Sequence, residues 1–117
     1  MNSLIIKQPW IALILNNQKT WEMRSRMTHV RGRIGLIQSG SGLVVGEATL
    51  VDCFSIINAQ TGKCEAPNLC EMRHRISDQA LLAKYPFAWV LSDPVRYTKP
   101  KPYQHPKGAV VWVKIDV

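Results

Sequence analysis

Between Asn17 and Arg24 the chain gathers an ammonium (Lys19), a carboxylate (Glu22) and a guanidinium (Arg24), immediately after an apolar run that ends at Asn16-Asn17. This stretch narrows the possible folds more than any other. A strand over 20–25 puts Thr20, Glu22 and Arg24 on one face and sends Trp21 and Met23 to the other, because successive side chains of a strand alternate. One face is then core and the other polar, with Lys19 at the strand mouth, its flexible stem able to swing towards Glu22. Such a trio can bind an anion, move a proton, or act as a surface ion pair worth about 0–1 kcal/mol.

The rest of the chain supplies the frame. With 117 residues, 46% of them hydrophobic, it has enough apolar material for one core but not two, so 1–117 is expected to be a single domain. Lys7, Gln8 and Pro9 interrupt the apolar run at the start, which argues against a signal peptide or a membrane helix. The net charge of +7 favours an anionic partner. It is concentrated in two uncompensated stretches, one with Arg24, Arg26, Arg31 and Arg33, the other with Arg96, Lys99, Lys101, Lys107 and Lys114. Three cysteines, an odd count, point to free thiols in a reducing, cytoplasmic setting. Cys64, Cys70 and His74 lack the tight knuckle of a structural zinc site, and neither a metal nor a cofactor is expected.

Taken in order, Leu4-Ile5-Ile6 suits a first buried strand, and Pro9 suits the first turn of a helix, where its missing donor is harmless. Trp10, Leu13 and Ile14 share a face at helical spacing and are expected in the core. The amides around Gln8, Pro9 and Trp10 at that helix start could face a ligand. Strands are expected over 33–38 and 43–54, joined by Ser39-Gly40-Ser41-Gly42, with Gly46 marking a bend and Glu47 needing a rim position or an arginine. Two short helices follow at 67–75 and 77–84, the second capped by Ser77-Asp78, with Arg73-His74-Arg75 on a solvated face. A strand over 87–91 should break at Asp93-Pro94 and give way to an irregular, proline-rich crossing over 97–106, before a last strand from Gly108 to Val117. In that crossing, Tyr103, His105 and Lys107 belong to an alternation of aromatics and cations that suits single-stranded nucleic acid.

The order Gln8-Pro9-Trp10, apolar helix, Lys19-x-x-Glu22-x-Arg24, basic loop, Arg33-Ile34-Gly35 strand resembles the ASCH family of small PUA-like domains. Trp89-Val90-Leu91-Ser92 and Gly108 to Trp112 fit as well. The family signature has glycine where this chain has Asn17, and Asn is the usual substitute for Gly in a left-handed position after a helix. The resemblance implies an α+β fold, a small PUA-like β-barrel with the first helix packed on it and two short helices in mid-chain. It also implies a cleft floored by Lys19, Glu22 and Arg24 that recognises RNA or a nucleobase-containing ligand. A branch of the family hydrolyses N4-acetylcytidine with a Thr nucleophile where Glu22 stands here. In this chain Glu22 would have to serve as base, with Lys19 or Arg24 at the oxyanion and Thr20 as a displaced nucleophile. For RNA cleavage, Lys19 would face the phosphorane while Glu22 or His105 moved a proton. Binding ranks first, hydrolysis of an acylated nucleoside second, ribonuclease action third. Oligomeric state is not legible.

Overall fold

The structure is a computed structural model and describes residues 1–115. Among them are β1 (Asn2–Ile6), α1 (Trp10–Leu15), β2 (Trp21–Arg24), β3 (Gly32–Gln38), β4 (Leu43–Ser55), α2 (Pro67–His74), α3 (Gln79–Lys84), β5 (Phe87–Pro102) and β6 (Trp112–Lys114). The strands form one mixed sheet in the order β2-β5-β4-β3-β1-β6. β1 and β3 run parallel, with α1 and β2 in the crossover, and the other neighbours are antiparallel.

The sheet is strongly curled. β5 and β6 stand four places apart in the order, a separation of roughly 19 Å in a flat sheet at about 4.8 Å per strand. Their Trp89 and Trp112 rings nevertheless stack with centroids 5.7 Å apart. Among the described residues no ladder joins the two outer strands, so the α+β architecture is a curled sheet with an open seam. The concave side holds the main core, in which Leu4, Ile34, Leu36, Ala48 and Leu50 are fully buried. A second cluster of Met23, Ile76, Leu82 and Ala88 lies beneath α2 and α3.

The buried stripe of α1 is Ile11, Ile14 and Leu15 rather than Trp10, Leu13 and Ile14. Both sets satisfy a 3.6-residue period, and a helix of this length contains too few turns for periodicity to choose between them. Pro9 lies just before α1 rather than in its first turn, after a cis Gln8–Pro9 bond. Leu15 crosses β4 at Gly46, where a Cβ would meet the Val95 carbonyl at 2.4 Å and Leu15 Cδ2 at 2.6 Å. Gly46 therefore admits both a neighbouring strand and the helix, beside a shift in the β4–β5 register.

The expected break at Asp93-Pro94 does not occur. β5 runs on to Pro102, with Asp93 at φ +50° and several register shifts against β4. Its partner β2 covers Phe87 to Val90, and the Leu91 amide still donates to the Thr20 carbonyl at 2.8 Å, so from Ser92 onward β5 pairs on one side alone. Pro94, Pro100 and Pro102 all fall in that one-sided part, where a missing donor can be tolerated. The last strand is shorter than expected, because Lys107-Gly108 form a turn and only 112–114 pair with β1; 116 and 117 lie outside the described residues. Asn17 has φ +60°, as its place after the helix requires. Asp78 caps α3 by accepting from the amides of Ala80 and Leu81.

Candidate nucleobase pocket at the open seam

β2 presents Glu22 and Arg24 from one face and Trp21 and Met23 from the other, and both faces are covered. Met23 joins the cluster under α2 and α3, while Trp21 packs edge-on against Phe54. Glu22 is 6% exposed and Lys19 1%, so the trio is not the surface ion pair that its sequence allows.

Arg24 holds the trio together. Its Nε and Nη2 donate to Glu22 Oε2 at 3.2 and 2.8 Å, and Nη2 also donates to the Ile5 carbonyl at 2.7 Å. The guanidinium lies 5.6 Å from the Trp89 ring. One side chain thus bridges β2 to β1 across the seam that no ladder closes. Arg24 Nη1 has no partner among the described residues, and Glu22 Oε1 has only the Lys19 ammonium, at 3.9 Å. The guanidinium thus keeps one nitrogen unspent, while the second carboxylate oxygen faces the Lys19 ammonium.

Lys19 occupies the layer behind. Its ammonium donates to the His74 carbonyl and sits 4.9 Å from the Trp10 ring centroid. Burial strips its hydration, and the Arg24 charge adds to that effect; Glu22 opposes it, and the pKa falls from 10.5 to about 8. His74 was expected on a solvated face with Arg73 and Arg75. It is instead 1% exposed, its Nδ1 accepting from the Ile76 amide, and burial with help from the Lys19 charge lowers its pKa to about 4. α2 has to place His74 inward so that its carbonyl can reach Lys19.

In front of the trio lies a pocket of about 290 Å³, walled by Trp10, Met23, Ile76, Leu81, Tyr85 and Val110, with Glu22 and Arg24 as its polar floor and Lys7 at its rim. Apolar walls with a few convergent polar groups are the usual composition of a small-molecule site. Lys19 does not line this pocket and reaches it only through Glu22. Thr20 lines a different recess, with Asn17, Gln18 and Arg73, and its buried Oγ1 has no hydrogen-bond partner among the described residues. Gln8 and Pro9 are exposed and off the pocket wall, and the Ile11 amide at the helix start is spent on the Lys7 carbonyl. Of that segment only Trp10 reaches the site.

The basic residues divide. Arg33 is tied to Glu47 at 2.8 Å and to Thr49 and the Asp93 carbonyl, giving Glu47 the arginine it needs. Arg31 folds back onto the carbonyls of Thr28 and Val30, and Arg26 is exposed. Tyr103 and His105 line a second recess that adjoins the first, whereas Lys107 is exposed and lines neither. Glu65 and Glu71 do not line the pocket. Lys7, Ile76, Tyr85 and Val110 come from four separate segments, and the sequence barely signals them. The cation next to Gln8 and the aromatic at the end of α3 were the only hints.

Cys53 is buried on β4, and the Cys64 and Cys70 sulfurs lie 3.4 Å apart as free thiols. Among the described residues no helix is long and apolar enough to cross a membrane.

A family model for the ASCH domain matches residues 4–102. No curated protein matches the chain. Among solved structures, it is similar to the crystal structure of ASCH from Zymomonas mobilis, at 16% identity and a TM-score of 0.64, covering 91% of this chain and 82% of that one. Two mutant proteins of the same ASCH give TM-scores of 0.69 and 0.65, at 16% and 17% identity, covering 98% and 91% of this chain and 87% and 85% of theirs.

Proposed function

We propose that this chain, which belongs to the ASCH domain family, binds RNA or another nucleobase-containing ligand by taking one unstacked base into the seam pocket. The observation that carries the reading is the paired carboxylate and guanidinium of Glu22 and Arg24 on the floor of a pocket with Trp10 and Tyr85 in its wall. A base edge offers an adjacent N–H and carbonyl to such a pair, and its faces pack on aromatic or apolar side chains. Lys19 serves as a positioning residue, holding the Glu22 carboxylate from behind. Titrating the four nucleosides and a short single-stranded RNA while following tryptophan fluorescence tests this. Saturable binding that weakens at least tenfold in Trp10→Ala, with the fold intact by circular dichroism, is expected. Binding unaffected by Trp10→Ala and Glu22→Gln would place the ligand elsewhere.

A second reading, hydrolysis of an N4-acylated cytidine, draws on the lowered pKa of Lys19 beside a buried carboxylate. Glu22 would take a proton from water as the water oxygen attacks the acyl carbon. Arg24 Nη1 would donate to the oxyanion, and Glu22 would return the proton to the departing amine. Thr20, lining another recess, has no part in this route. Release of cytidine from N4-acetylcytidine that disappears in Glu22→Gln would move the proposal from binding to catalysis. Lack of release leaves binding as the function.

A further inference from the structure

The seam pocket does not end at Lys7. A second recess of about 540 Å³ shares Ile5, Lys7, Ser39 and Val110 with it and continues to Tyr103 and His105. Its chemistry differs from that of the first. Among the described residues Glu22, already paired with Arg24, is the sole carboxylate along the two linings, and it lies at the far end. The near wall is the 39–42 turn, where Gly40 and Gly42 have φ of +79° and +70° and leave the backbone bare. Their amides and the Ser39 hydroxyl have no hydrogen-bond partner among the described residues, in contrast to Ser41, whose hydroxyl donates to the Gln38 carbonyl at 2.7 Å and accepts from the Leu43 amide. Unspent amides in a turn of left-handed glycines make a concavity suited to an anion.

The far wall is fixed by a chain of hydrogen bonds. His105 Nε2 lies 2.8 Å from the Ala109 carbonyl, which can only accept, so this nitrogen carries the proton. Nδ1 then accepts from the Tyr103 hydroxyl at 2.8 Å. These bonds pin 103–109 as a rigid side of the recess and leave Lys7 as the charge at the junction with the base pocket.

We infer that the recess joined to the seam pocket at Lys7 is a phosphate subsite, so that the ligand is a nucleotide unit and not a bare nucleoside. The inference rests on the base-binding reading of the seam pocket and extends it. A base held between Trp10 and Tyr85 directs its sugar towards Lys7, where the ammonium, the Ser39 hydroxyl and the Gly40 and Gly42 amides meet the phosphate. The phosphate can belong to a free mononucleotide or to an RNA chain, and both offer the same anionic oxygens.

The test is a calorimetric titration of the wild-type protein with the four nucleosides, their 5′-monophosphates, single-stranded pentanucleotides and inorganic phosphate, at low and moderate salt. A phosphate-bearing ligand should bind at least tenfold more tightly than its nucleoside at low salt, and this ratio should shrink as salt rises. In Lys7→Ala, and independently in Ser39→Ala, the ratio should fall towards one. A gain seen with pentanucleotides but not monophosphates assigns the phosphate to an RNA chain, and the reverse assigns it to a free nucleotide. Nucleosides that bind with no gain from phosphate overturn the subsite and leave the base pocket standing. Inorganic phosphate that binds in a Lys7-dependent manner without any nucleoside binding overturns the base reading and leaves the subsite. Absence of all binding overturns both.

Discussion

Lys19 is the residue on which the site's energetics turn, because a buried ammonium is costly unless its partners repay its desolvation. Here they repay it only in part, as the fall in pKa from 10.5 to about 8 records. Between those two values the unfolded chain holds a proton that the folded chain has lost, so stability rises with pH across the window. The full swing is about 3 kcal/mol at 1.36 kcal/mol per pH unit. Lys19→Met should remove this rise, which urea midpoints at pH 8, 9 and 10 would show as a wild-type slope that the variant lacks. Tyr97, an acid raised to about 12, pulls the other way at the top of the range but does so equally in both proteins. Glu22→Gln leaves Arg24 and Lys19 without their counter-charge and should cost about 3 kcal/mol in urea unfolding, as breaking a buried pair does. A cost below 1 kcal/mol would mean that the trio is effectively solvated. The sequence revealed the identity of these three side chains but not their burial, because burial depends on α2 laying the His74 carbonyl over the ammonium.

Elements are legible to the degree that one segment decides them. β3 and β4 follow from their own apolar content, and their ends agree with expectation within a residue, as does the cap of α3 by Asp78. β5 was missed beyond Leu91 because Asp93-Pro94 is a breaker by local chemistry, while the long ladder with β4 accommodates it as a bulge whose Asp93 carbonyl accepts from Arg33 at 2.8 Å. α1 was found, but its inward stripe was misassigned, since the docking of Leu15 against Gly46 is a tertiary fact. That contact is testable. Gly46→Ala forces its methyl against the Val95 carbonyl and Leu15, and the strain should cost about 1–3 kcal/mol. The measurement is the shift of the urea midpoint at unchanged slope; no shift would mean that helix and strand are free to part. The pocket was the least legible feature, for Lys7, Tyr85 and Val110 reach it from segments that share no pattern with the Lys-Glu-Arg stretch.

At the scale of the molecule, the curled sheet carries a main core in its concavity and a smaller one under α2 and α3, which meet at Trp10 and along β5, besides a third cluster of Ile37, Val44 and Val113. The smaller core borders the seam, and Arg24 spans the opening by bonding to Glu22 on its own strand and to the Ile5 carbonyl on β1. Arg24→Met should therefore loosen one side selectively. In hydrogen-exchange mass spectrometry, β2, α2 and α3 are expected to exchange at least tenfold faster, while β3 and the first half of β4 keep their protection. Uniform acceleration across all elements would instead mean that the seam and the main core open as one unit. The stacked indoles of Trp89 and Trp112, 5.7 Å apart with planes 14° from parallel, join the two strands that the curl brings together. Neighbouring chromophores at that separation couple their electronic transitions, so the pair acts as a built-in ruler: a bisignate near-ultraviolet dichroism band that persists while the sheet is rolled and disappears when it flattens, even where every strand remains hydrogen-bonded.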